Sequence, residues 1–267
     1  MSDFQIAVLA LVQGITEFLP ISSSGHLILV PLLTGWPDQG LVIDVAVHVG
    51  SLGAVMLYFW RDLGAMLQGL GDWRSGGLEQ PGRRLLAQVA VGTIPVVLAG
   101  LALKLVGTGN LRSVVVIGWA TLGFGLLLYV ADRWGASTRG VGDMGYGAAL
   151  VIGLAQVFAL IPGTSRSGIT MTAGRALGLR RDEAARFSLL LSIPTIIAAG
   201  ALLGLDLVAQ GTDQLRSDVL LAAGLALLSA WLSIALLMRW LAHATFTPFV
   251  IYRCVLGLGL LAYAYWG

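Results

Sequence analysis

The chain has 267 residues, of which 57% are hydrophobic and 11% are charged, and its net charge is +2. A soluble globular domain carries about 25% charged residues, so this composition excludes one and indicates a single integral membrane domain over residues 1–267. The small net charge argues against a nucleic-acid partner, and the lone Cys254 excludes an intramolecular disulfide. The first ten residues lack the features of a secretory signal peptide, so we expect them to remain in the mature protein.

Long apolar stretches predict six transmembrane helices, because about 20 helical residues cross a bilayer. In chain order these stretches cover residues 41–60, 85–106, 114–130, 187–205, 219–240 and 249–265. Two further apolar stretches, residues 4–33 and 145–177, are each interrupted midway by a proline with serine, threonine and glycine after it. Irregular backbone inside a membrane must be satisfied by protein or by a wet cavity. We therefore predict that each stretch forms a re-entrant helical hairpin.

The two interruptions fall at corresponding places in two halves of the chain, about residues 1–135 and 136–267. Each half contains one hairpin followed by three spans. Because three is an odd number, the second hairpin must enter from the face opposite the first. The sequence therefore predicts an all-α membrane protein with an inverted-topology repeat, and broken helices at matching positions indicate a buried site near the midplane.

Charged residues test this topology. One side of the predicted membrane domain carries most of the arginines, namely Arg61, Arg74, Arg83, Arg84, Arg133, Arg139, Arg175, Arg180, Arg181, Arg186 and Arg239. The other side carries Lys104, Arg112, Arg216, Asp3, Asp38, Asp206, Asp213 and Asp218. The positive-inside rule makes the arginine-rich side cytoplasmic, so both termini are predicted to be extracytoplasmic.

Glu17 is an ionisable residue inside an apolar segment, which by default indicates a functional site. Gln13 precedes it by about one helical turn and lies on the same helix face. The two side chains are therefore predicted to hold a metal ion or a water molecule. A purely structural hydrogen bond is the alternative.

Ser22, Ser23, Ser24 and Gly25 precede an apolar helix that begins with His26. Hydroxyl groups and free backbone amides at a helix N-terminus suit a phosphate, although a serine cap on a broken helix uses the same residue types. His26 is a candidate general base, nucleophile or metal ligand. A buried histidine with a structural role is the alternative.

The second interruption places a guanidinium among hydroxyl groups. Its residues are Thr164, Ser165, Arg166, Ser167 and Gly168. An arginine holds two phosphate oxygens with a planar fork that lysine cannot reproduce. A buried arginine needs an anionic partner, which is either a phosphate ligand or Glu17, and the two pairings can alternate during turnover.

Several other polar residues are not assigned to the predicted site. His48 lies between Val47 and Val49, and neither neighbour in the sequence is polar. Asp44 and Arg253 each need a partner at membrane depth, and the sequence does not identify those partners. The charged residues within 175–186 are interpreted as a cytoplasmic loop that sets the topology.

Two motifs carry a family resemblance. QGITEFLPISSSGH at residues 13–26 and PGTSRSG at residues 162–168 resemble the two signatures of the bacterial undecaprenyl-diphosphate phosphatase family, which is also associated with bacitracin resistance. The resemblance covers nearly the whole chain, and both motifs are long enough to be specific. The family's first signature often begins with Glu, whereas this chain has Gln13, which adds no charge to a metal site.

The resemblance implies a phosphatase of the bacterial inner membrane that hydrolyses undecaprenyl diphosphate to undecaprenyl phosphate, with a divalent cation, Mg²⁺ or Ca²⁺, at a site open to the periplasm. We expect the isoprenoid tail to stay in membrane lipid. The expected catalytic residues are Glu17, Ser23, His26 and Arg166. The expected phosphate-binding residues are Ser22, Ser24, Gly25, Thr164, Ser165, Ser167 and Gly168. The expected metal ligands are Glu17 and Gln13.

Two questions stay open in the sequence. Secondary transporters share the inverted repeat, so a flippase for a phosphorylated isoprenoid lipid, or another anion transporter, is the alternative function. A transporter only binds and releases its anion, whereas Glu, His, Ser and Arg together suit hydrolysis, so the phosphatase is favoured. The glycine-rich stretch 255–261 permits close helix packing either within one chain or across a homodimer.

Overall fold

A computed structural model of the protein describes residues 1–37, 40–71, 80–107, 111, 113–210 and 216–266, with the backbone alone at 203–210 and 216. Within these ranges the secondary structure is helical apart from one isolated bridge between Arg139 and Leu179, which confirms the predicted all-α fold. The helices are α1 (Asp3–Phe18), α2 (Ser23–Thr34), α3 (Gly40–Tyr58), α4 (Trp60–Gly71), α5 (Pro81–Val106), α6 (Val114–Trp134), α7 (Tyr146–Gln156), α8 (Arg166–Ala176), α9 (Arg181–Gln210), α10 (Arg216–Leu241) and α11 (Thr247–Trp266).

Six of the described helices are long and apolar enough to cross a membrane: α3, α5, α6, α9, α10 and α11. They coincide with the six predicted spans, so the prediction of a multi-pass membrane protein is confirmed. The largest difference is at α9, which begins at Arg181 and not at residue 187. Asp182 and Glu183 occupy its first turn, where acidic side chains complement the positive end of the helix dipole.

The amphipathic helix α4 was not predicted. Its 12 residues are too few to cross a bilayer. Met66 is buried whereas Leu67 and Leu70 are exposed, and the side chain of Arg83 at the start of α5 donates to the Gly69 carbonyl at 2.8 Å. Helix α4 is thus held against one end of the spans.

The long helices pack in a matching pattern. Helices α1 and α3 pack against α10, α7 and α9 pack against α5, and α6 packs against α11. Helix α9 is the most buried of the six spans and contributes Phe187, Leu189 and Leu190 to the largest buried apolar cluster. The core therefore surrounds α9, and the interrupted helices α1, α2, α7 and α8 lie among the spans.

Ion pairs gather many helix ends at one end of the domain. Asp132 at the end of α6 accepts from Arg175 of α8 at 3.0 Å and from Arg181 of α9 at 2.7 Å, and Arg186 of α9 pairs with Asp62 of α4. The described arginines that the topology argument placed on one side belong to the helix ends and loops of this region. They are Arg61, Arg83, Arg84, Arg133, Arg139, Arg175, Arg180, Arg181, Arg186 and Arg239. We call this the basic end; Arg74 lies outside the described residues.

The opposite end holds the start of α1 and the end of α2. Phe4 and Trp36 meet there edge to face, with ring centroids 6.1 Å apart, and Ile6 packs with Ile43 and Ala222 from the starts of α3 and α10. Lys104, Asp3 and Asp218 lie at helix termini here. Of the other charges assigned to this side, Asp38, Arg112 and Asp213 lie outside the described residues, and Asp206 and Arg216 have no described side chains.

Candidate active site

The candidate site lies where the two interruptions meet. Helix α1 ends at Phe18 and α2 begins at Ser23, while α7 continues as a 3-10 turn to Leu160 before α8 begins at Arg166. The Ser167 hydroxyl of the second interruption donates to the Leu19 carbonyl of the first at 2.8 Å. The two breaks, about 145 residues apart in the chain, are therefore in direct contact.

Both interruptions use the same local geometry at the start of the helix that follows. Ser22 and Ser165 are the N-caps of α2 and α8, with φ angles of 76° and 70°. Each serine hydroxyl accepts from the backbone amide three residues ahead, that of Gly25 at 3.4 Å and that of Gly168 at 3.1 Å. A left-handed φ in a non-glycine residue costs about 1–3 kcal/mol and is typical of functional sites.

Arg253 of α11 forms hydrogen bonds to the backbone of both interruptions. Its guanidinium is fully buried and donates to the carbonyls of Pro20 at 3.2 Å, Gly163 at 3.1 Å and Thr164 at 2.8 Å. Two further bonds go to carbonyls of α6. This answers the question of its partner: backbone carbonyls surround the charge, and within the described part of the chain its hydrogen bonds go to carbonyls and not to a carboxylate. Sequence reasoning missed this role, because a carbonyl acceptor leaves no signal in the side-chain sequence.

The close approach of Arg253 also explains one signature glycine. A Cβ atom at position 168 would lie 2.7 Å from Nη1 of Arg253, which is closer than van der Waals contact allows. Gly168 therefore leaves room for the guanidinium, and its amide serves the Ser165 cap. Its predicted role as a phosphate ligand stays a prediction.

Glu17 is the centre of the polar cluster. One carboxylate oxygen accepts from Arg166 Nη2 at 2.8 Å. The other accepts from the Ser23 hydroxyl at 2.6 Å and from Gln13 Nε2 at 3.0 Å. The predicted proximity of Gln13, Glu17, Ser23 and Arg166 is therefore present, and the pairing of Arg166 with Glu17 is one of the two that the sequence left open.

A cavity of about 220 Å³ opens beside this cluster. Its polar lining comes from both interruptions and from two spans: Glu17, Ser22, Ser23, Ser24, His48, Ser165, Arg166 and Thr195. Its apolar walls come from α5 and α9 and from the 3-10 turn after α7: Val96, Ile196, Ala199, Ala159 and Leu160. A cavity with an arginine, a carboxylate and hydroxyl groups on apolar walls is suited to an anionic head group.

Three other predicted site residues, Thr164, Ser167 and His26, are outside the described lining of the cavity. Thr164 is fully buried, and its hydroxyl has no hydrogen-bond partner among the described residues. Ser167 bonds Leu19, as described above. His26 is absent from the described lining of the cavity: its Nδ1 contacts the Ser22 carbonyl at 2.6 Å and its Nε2 contacts the Tyr252 hydroxyl at 2.5 Å.

His48 is a correction to the sequence analysis, which gave it no polar company. It projects from α3 into the cavity that Glu17 and Arg166 also line. The apolar sequence around it belongs to other faces of α3, where Val47 is buried in the core and Val49 is exposed. Adjacent residues of a helix point in different directions. The two valines therefore gave no information about the residues that surround the His48 side chain.

The side chains at the site can be compared with the ligands that the expected divalent cation needs. Among the described residues no group of three or more His, Cys, Asp and Glu side chains is placed to hold a metal, and both oxygens of Glu17 already accept hydrogen bonds. The amide oxygen of Gln13 is buried and has no partner in the described structure. One carboxylate and one amide oxygen do not make a closed protein site. They fit an ion such as Mg²⁺, which typically uses one or two carboxylates, water and the phosphates of its substrate.

The charged residues within 175–186 lie apart from the cavity. Arg175 is fully buried and bonds Asp132 together with carbonyls of the loop that follows α6. The Asp132 carboxylate also accepts from the Phe246 amide at 3.2 Å. This cluster connects helix ends. The interpretation of the segment as a loop is correct only for residues 177–180, because Arg175 belongs to α8 and residues 181–186 form the start of α9.

Comparison with known proteins gives a consistent result. The family model described as bacitracin resistance protein BacA matches residues 6–259. The chain is 56% identical to an undecaprenyl-diphosphatase of Ruegeria pomeroyi and 54% identical to one of Roseobacter denitrificans, each over 99% of this chain and 100% of the relative. It is 52% identical to undecaprenyl-diphosphatase 1 of Rhodospirillum rubrum, over 98% of this chain and 95% of the relative.

Proposed function

Since the chain belongs to the bacitracin resistance protein BacA family, we propose that it hydrolyses undecaprenyl diphosphate to undecaprenyl phosphate and inorganic phosphate. The family predicted from the two motifs is confirmed, and three relatives that match over nearly their full length carry the name of this activity. The observation that carries the proposal is the cavity in which Glu17 and Ser23 of one interruption meet Arg166 of the other. The transporter alternative is not favoured, because the relatives are named as hydrolases.

The geometry supports a division of labour for the reaction. Arg166 is placed to bind oxygens of the terminal phosphate, since its guanidinium borders the cavity and its resting partner is a carboxylate that a phosphate can replace. The Ser23 hydroxyl already donates to Glu17 at 2.6 Å, which is the arrangement of a nucleophile and its proton acceptor. We assign the attack to Ser23 Oγ and the proton transfer to Glu17.

The first step transfers the terminal phosphoryl group of the diphosphate to Ser23. Ser23 Oγ forms a bond to the terminal phosphorus, its proton passes to Glu17, and the bond between that phosphorus and the bridging oxygen breaks. Undecaprenyl phosphate leaves with the electron pair. Water then hydrolyses the phosphoserine. Positioning and neutralisation of charge by Arg166 supply most of the catalysis, as in other phosphoryl transfers. His26, whose ring nitrogens contact Ser22 and Tyr252, supports the capped end of α2.

The divalent cation is part of the proposal. Mg²⁺ or Ca²⁺, held between Glu17, Gln13 and the diphosphate, would neutralise charge on the phosphates. The amide oxygen of Gln13, buried without a partner among the described residues, supports this position. The carboxylate of Glu17 would then serve both the ion and the Ser23 hydroxyl.

The architecture of the proposal is an inverted repeat with two opposed re-entrant hairpins. Three observations support it: the matching caps Ser22 and Ser165, the exchange of partners in which α1 packs on α10 while α7 packs on α5, and the contact of both breaks with Arg253. Helices α1 and α2 have their outer ends opposite the basic end, whereas α7 and α8 have theirs beside it. The breaks would then meet near the midplane.

For location we propose the bacterial cytoplasmic membrane, with the basic end in the cytoplasm. The start of α1 and the end of α11 would be extracytoplasmic, and the cavity would receive the head group from that side while the isoprenoid tail stays in lipid. A homodimer stays a prediction. Of the glycine-rich stretch on which it was based, Gly257 packs inside the chain against Gly118 and Leu122 of α6, whereas Gly259 has no described atom within 4 Å of a Cβ position and Leu258 is exposed.

The test is release of inorganic phosphate from undecaprenyl diphosphate by the purified protein, with and without a chelator. We expect metal-dependent release that is lost in Arg166→Ala and Glu17→Ala. A phosphoenzyme trapped on Ser23 in wild type would establish the covalent step. Well-folded wild-type protein that binds the lipid and releases no phosphate would refute the hydrolase and make flux across proteoliposomes the next measurement.

A further inference from the structure

The two histidines near the interruptions differ in which ring nitrogens are occupied. Both nitrogens of His26 have partners, the Ser22 carbonyl and the Tyr252 hydroxyl. His48 Nδ1 contacts the Asp44 carbonyl at 2.7 Å. Among the described residues no hydrogen-bond partner is found for His48 Nε2. The histidine that borders the cavity is therefore the one with a ring nitrogen left for a ligand.

The Asp44 carbonyl defines what that nitrogen can do. A carbonyl only accepts, so Nδ1 of His48 must carry the hydrogen and donate it. Nε2 of the neutral ring then presents a lone pair, and the protonated ring presents an N–H group instead. In either state it can exchange one hydrogen bond with a phosphate group, as acceptor from a P–OH or as donor to a P–O⁻.

The other walls of the cavity make this position significant. The charged side chains that line it are Glu17 from α1 and Arg166 from α8, and these two bond each other. The walls from α5 and α9 contribute Val96, Ile196, Ala199 and the hydroxyl of Thr195. Helix α3 adds a ring nitrogen that no described group occupies.

We propose that His48 contacts the substrate directly, through a hydrogen bond between Nε2 and the diphosphate group. This inference rests on the proposed function for the identity of the ligand. It adds helix α3 to the phosphate site, which otherwise draws on the two interruptions. The i−4 carbonyl of Asp44 holds the ring through Nδ1, so its orientation is set before the ligand arrives.

The direct test uses nitrogen NMR of the wild-type protein labelled with ¹⁵N-histidine. The chain has three histidines, and His48→Asn removes one set of signals and so assigns it. We expect saturating inorganic diphosphate to shift the Nε2 signal of His48 and to leave that of exposed His243 in place. Saturation is verified by calorimetric titration of inorganic diphosphate into the same protein. An unmoved Nε2 signal at saturation overturns the proposal.

Kinetics provide a second test with matched variants. His48→Asn keeps a donor near the Nδ1 position but does not reach the place of Nε2, whereas His48→Gln places an amide there. We expect His48→Asn to lower kcat/KM by at least about tenfold, as for loss of a hydrogen bond to a charged group, and His48→Gln to lower it less. His243→Asn is the control and should match wild type. Activity of His48→Asn within twofold of wild type would contradict the inference, and if that variant does not fold, the NMR result on wild type decides.

These outcomes separate the two proposals. Wild-type hydrolysis of undecaprenyl diphosphate with an unmoved His48 signal leaves the phosphatase in place and removes His48 from the site. A shifted His48 signal without hydrolysis shows a diphosphate-binding cavity and removes the phosphatase.

Discussion

Replacement of Arg253 by methionine tests whether the two interruptions are held in place from α11. Methionine keeps an unbranched apolar side chain but no donor, so the carbonyls of Pro20 and Thr164 lose their guanidinium bonds of 3.2 and 2.8 Å. The Gly163 carbonyl loses its bond as well but still accepts from the Thr121 hydroxyl, and the two acceptors in α6 lie within a helix. An unsatisfied buried carbonyl costs about 1–3 kcal/mol. Two of them predict a loss of roughly 2–6 kcal/mol in the free energy of unfolding.

Activity should fall by more than the unfolded fraction explains. Arg253 sets the relative position of Ser23 and Arg166, and a displacement of about 1 Å in such a constellation costs on the order of a hundredfold in rate. Arg253→Lys, with three donors in place of five, should recover part of the stability and part of the rate.

Both quantities are measurable on protein purified in detergent, by thermal unfolding and by phosphate release from undecaprenyl diphosphate. Arg239→Met is the matched control, because Arg239 is an exposed arginine at the end of α10 and exposed substitutions usually change stability by less than about 0.5 kcal/mol. If Arg253→Met unfolds at the same temperature as wild type and hydrolyses at the same rate, the hydrogen bonds from Arg253 to these carbonyls do not stabilise the protein or position the site, and the reasoning is wrong.

Three further predictions concern the site and the basic end. Ser23→Ala should lower kcat at least about a hundredfold with unfolding unchanged; equal activity would exclude Ser23 as the nucleophile. Glu17→Gln should abolish turnover but strengthen binding of inorganic diphosphate in a titration without divalent cation, because Arg166 no longer has a carboxylate partner; weaker binding in that titration would contradict the competition between Glu17 and the ligand. Asp132→Asn should destabilise the protein by about 3–5 kcal/mol, as expected when a buried arginine loses its carboxylate, while the rate per folded molecule stays the same because Arg175 lies away from the cavity.

Two exposed residues provide controls for these variants. Ser217→Ala removes a hydroxyl at the start of α10, and Asp3→Asn removes a carboxylate in the first turn of α1. Each should leave phosphate release and the free energy of unfolding within the range expected of surface substitutions.

The sequence predicted the fold well wherever a single physical quantity decided it. Apolar length alone determines the six spans, and proline with serine and glycine marks the breaks that follow α1 and the 3-10 turn after α7. Helix α4 was not predicted, because it has only 12 residues and its apolar face is narrow. Its place depends on contacts with α5, such as the bond from Arg83 to the Gly69 carbonyl, and these contacts span a turn in the chain.

The candidate site was predictable in residue type and less so in detail. The two motifs pointed to Glu17, Ser23 and Arg166, and these side chains do meet. The positions of His26 and His48 were not predictable, because both depend on which face of a helix points to the cavity and on partners far along the chain. His26 Nε2 contacts Tyr252, 226 residues away, and no local pattern encodes that distance.

The ion pair between Glu17 and Arg166 makes the protein its own competitor for the phosphate site. A ligand gains access to the guanidinium only if its attraction exceeds that of a carboxylate already held at 2.8 Å. A diphosphate meets this condition better than the singly phosphorylated lipid formed from it, because it carries more negative charge. When water has released the phosphate from Ser23 and it departs, the carboxylate recovers its partner, and Arg166 no longer offers a free charge to a lipid phosphate. Turnover can therefore end with the site resetting itself, without a separate conformational device to expel the product.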